Sequence, residues 1–525
     1  MAFDRALGIA PYDFAGTLDL GTANDIAEGR VTVRLGPEAT ARCHDGHARL
    51  RRIISERRHV YGLTTGYGPL ADRLVAKEDG IALQQNLIHH LATGLGPSFG
   101  WATARAIVLC RLAAISRGLS GAAPQTTAAL IAVLNSDLAP AIPERGTVGA
   151  SGDLTPLAHM VLCLQGRGAF LTVSGEIVEA SDALARIGIV PLDISGRDGL
   201  ALVNGTSAMT GVALRTARIS GRLCSWELGL SAALSECLGG RAEAWDATFA
   251  EARPHPGQGR ATADLQARIA GSARMRWSYL AERSLGDARA TRDEIAQDAY
   301  TLRCVPQIVG AVIDTLDWHD GIVTTELNSV TDNPILPAAG PVPALHGGNF
   351  MGQHVGLASD ALATALTVLA GLAERQIARL TDERLNRGLP AFLHGGRAGL
   401  HSGLMGAQVT ATALVAEMRS AGPASTQSIS TNGANQDVVS MGTIAARRAH
   451  EAALRGSEVL AILALAVAQA IDLRMREGGA PFSRSAEALH RVVRSVSPIL
   501  EEDRPLAEDI AAMAAVLRER DCPSE

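Results

Sequence analysis

Val459-Leu-Ala-Ile-Leu-Ala-Leu-Ala-Val-Ala468 is apolar on every side of a helix. A segment of that kind is buried all round, within a large bundle or between subunits. It lies in a proline-free stretch running from about 424 to 479. A second such stretch, 352–387, sets Leu362, Leu366, Leu369 and Ala373 on one stripe, the spacing of a helix facing a core. The 525-residue chain is 47% hydrophobic but only 3% aromatic, which favours packed helices over sheets. Short strands are expected only at 31–35 and in a hairpin joining 170–173 to 177–178 around Ser174-Gly175. The expected fold is therefore mainly α. A smaller N-terminal lobe (1–220) is expected to be continuous with a long-helix bundle and C-terminal helices (221–525).

Charge and composition exclude several classes of function. The formal net charge is −6 and no basic block is present, so nucleic acid is not an expected partner. The first thirty residues hold no apolar signal core, and the ten-residue run at 459–468 is short of the roughly twenty needed to cross a bilayer. A soluble, cytoplasmic protein is expected. Seven scattered cysteines without a Cys-x-x-Cys pair fit reduced core residues.

Of 48 basic residues only Lys77 is lysine. Arginine forms no Schiff base at neutral pH, so pyridoxal phosphate would depend on Lys77, which stands in the polar segment Val-Ala-Lys-Glu-Asp-Gly. No phosphate loop is present. Gly66-Tyr-Gly68 lacks the third glycine of a dinucleotide fingerprint, so no nucleotide is expected. His89-His90, His346 and His354 raise a metal site. Neighbouring histidines on a helix diverge by about 100°, and no His-x-x-x-His with a nearby acid completes a ligand set, so no metal is expected.

The chemistry points instead to Gly146-Thr-Val-Gly-Ala-Ser-Gly-Asp-Leu-Thr-Pro156. A Gly-x-Ser-x-Gly nucleophile elbow fails here, because Asp153 stands where the second glycine is required. If the loop is held bent, the Gly152 amide nitrogen can attack the Ala150 carbonyl and close a five-membered ring with loss of water. Loss of the Ser151 hydroxyl then leaves an exocyclic methylidene, an electrophile that no side chain provides. Glycine suits the attacking position because it lacks a Cβ. A helix start follows at once, with Thr155 as N-cap and Pro156 in the first turn, so the triplet meets a helix N-terminus that favours developing negative charge.

Other segments carry candidate site residues. Tyr61 lies in a Gly- and Thr-rich loop, His59-Val-Tyr61-Gly-Leu-Thr-Thr-Gly-Tyr67-Gly-Pro69. It is either a packing aromatic or a general base on a lid spanning about 61–70. A phenol, with an ordinary pKa near 10, serves as base only with cationic or dipolar support. Tyr300 and Arg303 in Gln297-Asp-Ala-Tyr300-Thr-Leu-Arg303 share a helix face; they form either a surface pair or a carboxylate grip. Amide-rich segments at Asn204-Gly-Thr, Asn328–Asn333, His346–Phe350 and Asn432-Gly-Ala-Asn435-Gln436 suggest turns, or together a polar site.

In order along the chain, Tyr-Gly-x-x-Thr-Gly, Ala-Ser-Gly-Asp-Leu-x-Pro-Leu-Ala, Asn-Gly-Thr, Gln-Asp-x-Tyr-x-x-Arg, Asp-Asn-Pro and Asn-Gln-Asp resemble the aromatic amino acid ammonia-lyases over nearly the whole chain. That family comprises histidine, phenylalanine and tyrosine ammonia-lyases. The resemblance implies an ammonia-lyase-like helical fold and a homotetramer whose sites combine loops from several subunits. It implies that Ala150, Ser151 and Gly152 form 4-methylidene-imidazol-5-one (MIO), with no pyridoxal phosphate, nucleotide or metal. It implies Tyr61 as lid base, Asn204 as the amide contacting the ring, and Tyr300 with Arg303 as the pair gripping the carboxylate. Gly68, His90, Leu91, Leu154, Asn333, Phe350, Met405, Asn432, Asn435 and Gln436 would contact the substrate.

His90-Leu91 matches the pair found in tyrosine enzymes, and a histidine there can bond a phenol hydroxyl. The implied activity is deamination of L-tyrosine to trans-p-coumarate, with some action on L-phenylalanine. A MIO-dependent tyrosine 2,3-aminomutase, a phenylalanine or histidine ammonia-lyase, and a catalytically silent helical scaffold are the alternatives. Tyr67 and Leu404 depart from the Phe usual at those positions, which bears on lid packing and substrate tolerance.

Overall fold

The computed structural model describes residues 10–194, 196–277 and 297–524. They form two compact units. The first comprises 1–218, 319–360 and 423–450; the second comprises 219–318, 361–422 and 451–525. The helices in chain order are α1 (Leu20–Ala27), α2 (Pro37–Ser55), α3 (Gly80–Leu91), α4 (Trp101–Ile115), α5 (Pro124–Leu134), α6 (Leu154–Leu164), α7 (Ala180–Arg186), α8 (Asp198–Val203) and α9 (Ser207–Cys237). Then come α10 (Ala247–Ala252), α11 (Pro256–Ile269), α12 (Tyr300–Arg303), α13 (Val305–Leu327), α14 (Gln353–Thr381), α15 (Met405–Ser420), α16 (Gly442–Glu477), α17 (Arg484–Arg494) and α18 (Ala507–Glu519). The expected mainly helical class is what the chain adopts. Four of the five unit boundaries fall inside α9, α13, α14 and α16, and the fifth, at 422/423, lies between α15 and α16.

The first unit packs its helices over one large core that includes Ile107, Leu109, Leu157, Val161, Val203 and Met209. α4 carries only two charged residues, Arg105 and Arg111, both fully buried. Arg105 donates to Ile26 O and Ala27 O at the end of α1, and to Val133 O and Leu134 O at the end of α5. Carbonyls at a helix C-terminus lack intrahelical partners, so one buried guanidinium caps two helices. A third buried cation, Arg197, is held bidentate by Asp332 at 2.8 and 2.9 Å, with both side chains wholly inaccessible.

The strands are few. β1 (Leu95–Ser98) pairs antiparallel with β3 (Pro143–Arg145), and β2 (Leu138–Pro140), β4 (Ala169–Thr172) and β5 (Ile177–Glu179) make a three-stranded antiparallel sheet in the order β2-β4-β5. β4 and β5 are the expected hairpin, with Phe170 opposite Val178. The strand expected at 31–35 does not form. Only an isolated bridge joins Val33 to Tyr12, because the Asn135 side chain takes the place of a partner strand, accepting from Val33 N and donating to Val33 O, each at 2.8 Å.

In the second unit, Asp472 on α16 accepts from His490 and Arg494 of α17 at 2.8 and 2.7 Å. Trp226 of α9 donates its indole N–H to Arg520 O at 2.8 Å, which ties down the C-terminal tail. α16 ends with Arg474 and Arg476 in its last turn and with Gly478 at φ +79°, a left-handed C-terminal stop. α14 and α16 are long and apolar enough to cross a bilayer by length and composition alone, but 89% of the apolar window of α16 is buried within the chain. Its apolarity therefore belongs to the protein interior.

Candidate active site

The Ala150-Ser151-Gly152 triplet is folded back on itself, with Ala150 bridged to Gly152 and Gly152 bridged to Gly205. Gly152 has φ +72°, and a Cβ built on it would stand 2.1 Å from the Gly205 carbonyl oxygen. Only glycine permits this approach. Asp153 N donates to Gly205 O at 2.7 Å, which continues the same contact. Ala150 itself packs with Val148 against Ala424, Val439, Met441 and Ala445.

Two amides clamp Ser151. Asn204 Nδ2 donates to the Ser151 carbonyl at 3.0 Å, and Gln436 Nε2 donates to Ser151 Oγ at 3.1 Å. Gln436 is set by Asn432 Nδ2 and Thr431 Oγ1, which donate to its Oε1 at 2.6 and 2.8 Å. Asn204 is set from behind, since Arg111 donates to the Asn204 carbonyl at 2.5 Å. The Asn204 Oδ1 is buried without a partner among the described residues.

α6 starts at Leu154 with Asp153 as N-cap residue, two residues ahead of the expected Thr155 cap. The Asp153 side chain does not cap its own helix. Its Oδ2 accepts from Met209 N at 2.7 Å, near the start of α9, and its Oδ1 accepts from the Thr443 hydroxyl. Burial of this carboxyl pushes its pKa up to about 6. Asp153, Arg111 and Thr443 were not among the expected site residues. The one legible signal was Arg111, which with Arg105 is one of two charges in a helix that is otherwise almost wholly apolar.

The lid loop faces the same neighbourhood. Gly68 N donates to the Tyr61 phenolic oxygen at 2.8 Å, and Tyr61 N donates to His346 Nε2 at 3.2 Å. A Cβ on Gly68 would lie 3.9 Å from Asn435 Oδ1, which brings the lid beside the Asn432–Gln436 loop. Asn333 Oδ1 accepts from Gly347 N at 2.7 Å, next to His346. The Tyr67 hydroxyl, an extra group relative to Phe, is accommodated by Gln84 Nε2, which donates to it at 2.8 Å. Its ring stands edge-on to Tyr61 with centroids 6.1 Å apart. Burial raises the Tyr67 pKa, so this phenol stays protonated.

The first unit thus gathers Tyr61, Gly68, Ala150, Ser151, Gly152, Asn204, Asn333, Asn432, Asn435 and Gln436 through a connected set of contacts. Leu91 and Leu154 pack half-buried on its main core, and Phe350 lies half-buried just before α14. His90 is exposed at the end of α3, and its Nδ1 lies 2.9 Å from Asn86 O. A neutral imidazole that donates from Nδ1 presents Nε2 as an acceptor. Tyr300, Arg303 and Met405 belong to the second unit. There Tyr300 is 67% exposed with the Arg303 guanidinium 4.5 Å from its ring centroid, and Met405 begins α15 partly exposed. Arg303 lines a small cavity of about 200 Å³ together with Arg241, Gln297 and Asp298.

The family model for aromatic amino acid lyases matches residues 18–495. The chain is 61% identical to a tyrosine ammonia-lyase of Cereibacter sphaeroides over 502 residues, covering 95% of this chain and 96% of that protein. It is 41% identical to a MIO-dependent tyrosine 2,3-aminomutase of Streptomyces globisporus, covering 97% and 95%. The crystal structure of tyrosine aminomutase from Streptomyces globisporus superimposes with a TM-score of 0.91 at 39% identity, covering 97% of each chain.

Proposed function

The chain belongs to the aromatic amino acid lyase family, and we propose that it is a tyrosine ammonia-lyase, releasing ammonia from L-tyrosine to leave trans-p-coumarate. The observation that carries this reading is the clamp on Ser151 by Asn204 and Gln436, in a chain 61% identical to a tyrosine ammonia-lyase. The bent triplet, the cradle against Gly205 and the buried, unpartnered Asn204 oxygen fit the MIO group that the family implies. When formed from Ala150, Ser151 and Gly152, that group supplies an electrophilic methylidene carbon for the substrate amine.

The chain's own residues have the remaining tasks. Tyr61, as the phenolate, takes the benzylic β-proton at its phenolic oxygen and becomes the phenol; the Gly68 N–H, which donates to that oxygen, supports the anionic base before the transfer. Arg303 grips the carboxylate, with Tyr300 beside it, which fixes the orientation that a weakly acidic β-carbon requires. Asn204 and Gln436 hold the triplet. His90 Nε2 accepts the substrate phenol, and Leu91, Leu154 and Phe350 supply apolar walls. Gly68, Asn333, Met405, Asn432 and Asn435 complete the substrate contacts. The working form is a cytoplasmic homotetramer whose sites draw on several subunits.

Replacing Ser151 with Ala tests the reading. The variant is expected to lose turnover of L-tyrosine and the ring's near-ultraviolet absorbance, and its intact mass is expected to show no loss of two waters from the chain. Normal deamination by Ser151→Ala would overturn the proposal. Accumulation of β-tyrosine in place of coumarate by the unaltered enzyme would assign it to the aminomutases.

A further inference from the structure

The lid loop has a second face. Behind Tyr61, the loop doubles back through a bridge between Thr65 and Leu74, with Gly66 N donating to Arg73 O and Val75 N donating to Thr64 O at 2.9 and 3.0 Å. The end of α2, this doubled lid and the start of α3 enclose a cavity of about 580 Å³. That lies inside the range of roughly 300–1,000 Å³ typical of small-molecule sites. Its walls are apolar at Ile53, Leu63, Val75 and Ile81.

Its charged lining is all of one sign. Arg57, Arg58 and Lys77 line the cavity beside His59, and no carboxylate among the described residues lines it. Arg58 is engaged by Glu56 at 2.8 Å. Arg57 and Lys77, the only lysine in the chain, have no side-chain partner among the described residues. An apolar slot rimmed by unpaired cations favours an organic anion with an apolar body.

We propose that this cavity is a regulatory site for an aryl carboxylate, and that its occupant is the aryl propenoate the enzyme itself makes. The choice of occupant rests on the ammonia-lyase reading; the preference for an aryl anion rests on the cavity alone. Leu63, Thr64, Leu74 and Val75 form both the cavity wall and the rear of the lid, and Thr64 Oγ1 accepts from Val60 N at 3.0 Å next to Tyr61. A ligand wedged there fixes the lid in one position. Lid opening limits product release in many enzymes, so a ligand that holds the lid from behind lowers kcat without entering the substrate-facing side.

The test is calorimetric titration of the intact enzyme with trans-p-coumarate, together with product-inhibition kinetics on L-tyrosine. A second site per chain and a mixed inhibition pattern are expected. Arg57 has φ +51°, a conformation asparagine tolerates, so the variant Arg57→Asn/Lys77→Gln keeps the fold. It is expected to weaken the second site about tenfold, to make inhibition purely competitive, and to leave kcat and KM without product unchanged. Ile81→Glu, at a position 62% exposed, is a second variant that places a carboxylate at the mouth and is expected to abolish the second site. A single site with competitive inhibition in the unaltered enzyme would overturn the proposal. So would a second site indifferent to both variants, or variants that change the number of associated copies, since the cavity would then be covered by another chain. The titration needs no turnover, so failure of the ammonia-lyase reading would appear in the tyrosine assay and leave the binding result legible.

Discussion

At Gly152 a single hydrogen atom decides whether the triplet can bend. The Gly205 carbonyl leaves no space for a methyl group, and the backbone sits at φ +72°. Gly152→Ala is therefore expected to lose the mass deficit of two waters and to cost about 1–3 kcal/mol of stability, measured by intact mass and denaturant titration. In the proposed reading His90 sets selectivity by a different means: with Nδ1 turned to Asn86 O, Nε2 would accept a phenol O–H and gain nothing from phenylalanine. His90→Phe is expected to shift the ratio of tyrosine to phenylalanine kcat/KM by at least about tenfold toward phenylalanine; an unchanged ratio would remove His90 from the selectivity argument. The triplet was visible in the sequence through the chemistry its three small residues allow, and the histidine through the family resemblance of the His90-Leu91 pair. Asp153 was visible as a letter but not as a buried acid, since burial comes from Met209 and Thr443, which lie elsewhere in the chain.

Among the elements, α9 carries the clearest pH signature. Glu227 is buried, and burial pushes its pKa up to about 8 despite the Ser231 hydroxyl donating to it at 3.0 Å. The unfolded carboxyl ionises near 4.5, so between about 4.5 and 8 the unfolded state releases a proton that the folded state keeps. Stability is expected to fall as pH rises through that window, by at most about 5 kcal/mol from this group. Burial raises Asp153, Glu236 and Glu326 in the same direction. Glu227→Gln is expected to flatten the pH dependence and to be more stable than the unaltered chain at pH 9, read from denaturant midpoints across pH. Helix existence was legible from period alone, as at Leu362, Leu366, Leu369 and Ala373, all of which are buried. The 31–35 segment had strand residues but no strand partner, because a side chain, Asn135, satisfied its backbone.

For the whole molecule, apolar side chains on α15 remain uncovered in a single chain: Met405 is 42% and Val409 62% exposed, one turn apart. Such a stripe is characteristic of an association surface, and it supports the proposed tetramer. Val409→Glu is expected to shift the enzyme to smaller species in sedimentation velocity and to lower activity in parallel; an unchanged sedimentation profile would place the interface elsewhere. Periodicity and motif chemistry are local, so the helical class, the family resemblance and Ala150-Ser151-Gly152 as the candidate source of an electrophile were all legible from the amino-acid order. Only the tertiary structure decided that Gln436, 285 residues away, holds the Ser151 hydroxyl, and that Arg111 stands behind Asn204. It also decided that the rear of the lid forms a cationic cavity. Those contacts depend on chain closures between distant segments, which hydrophobic spacing within a segment does not encode.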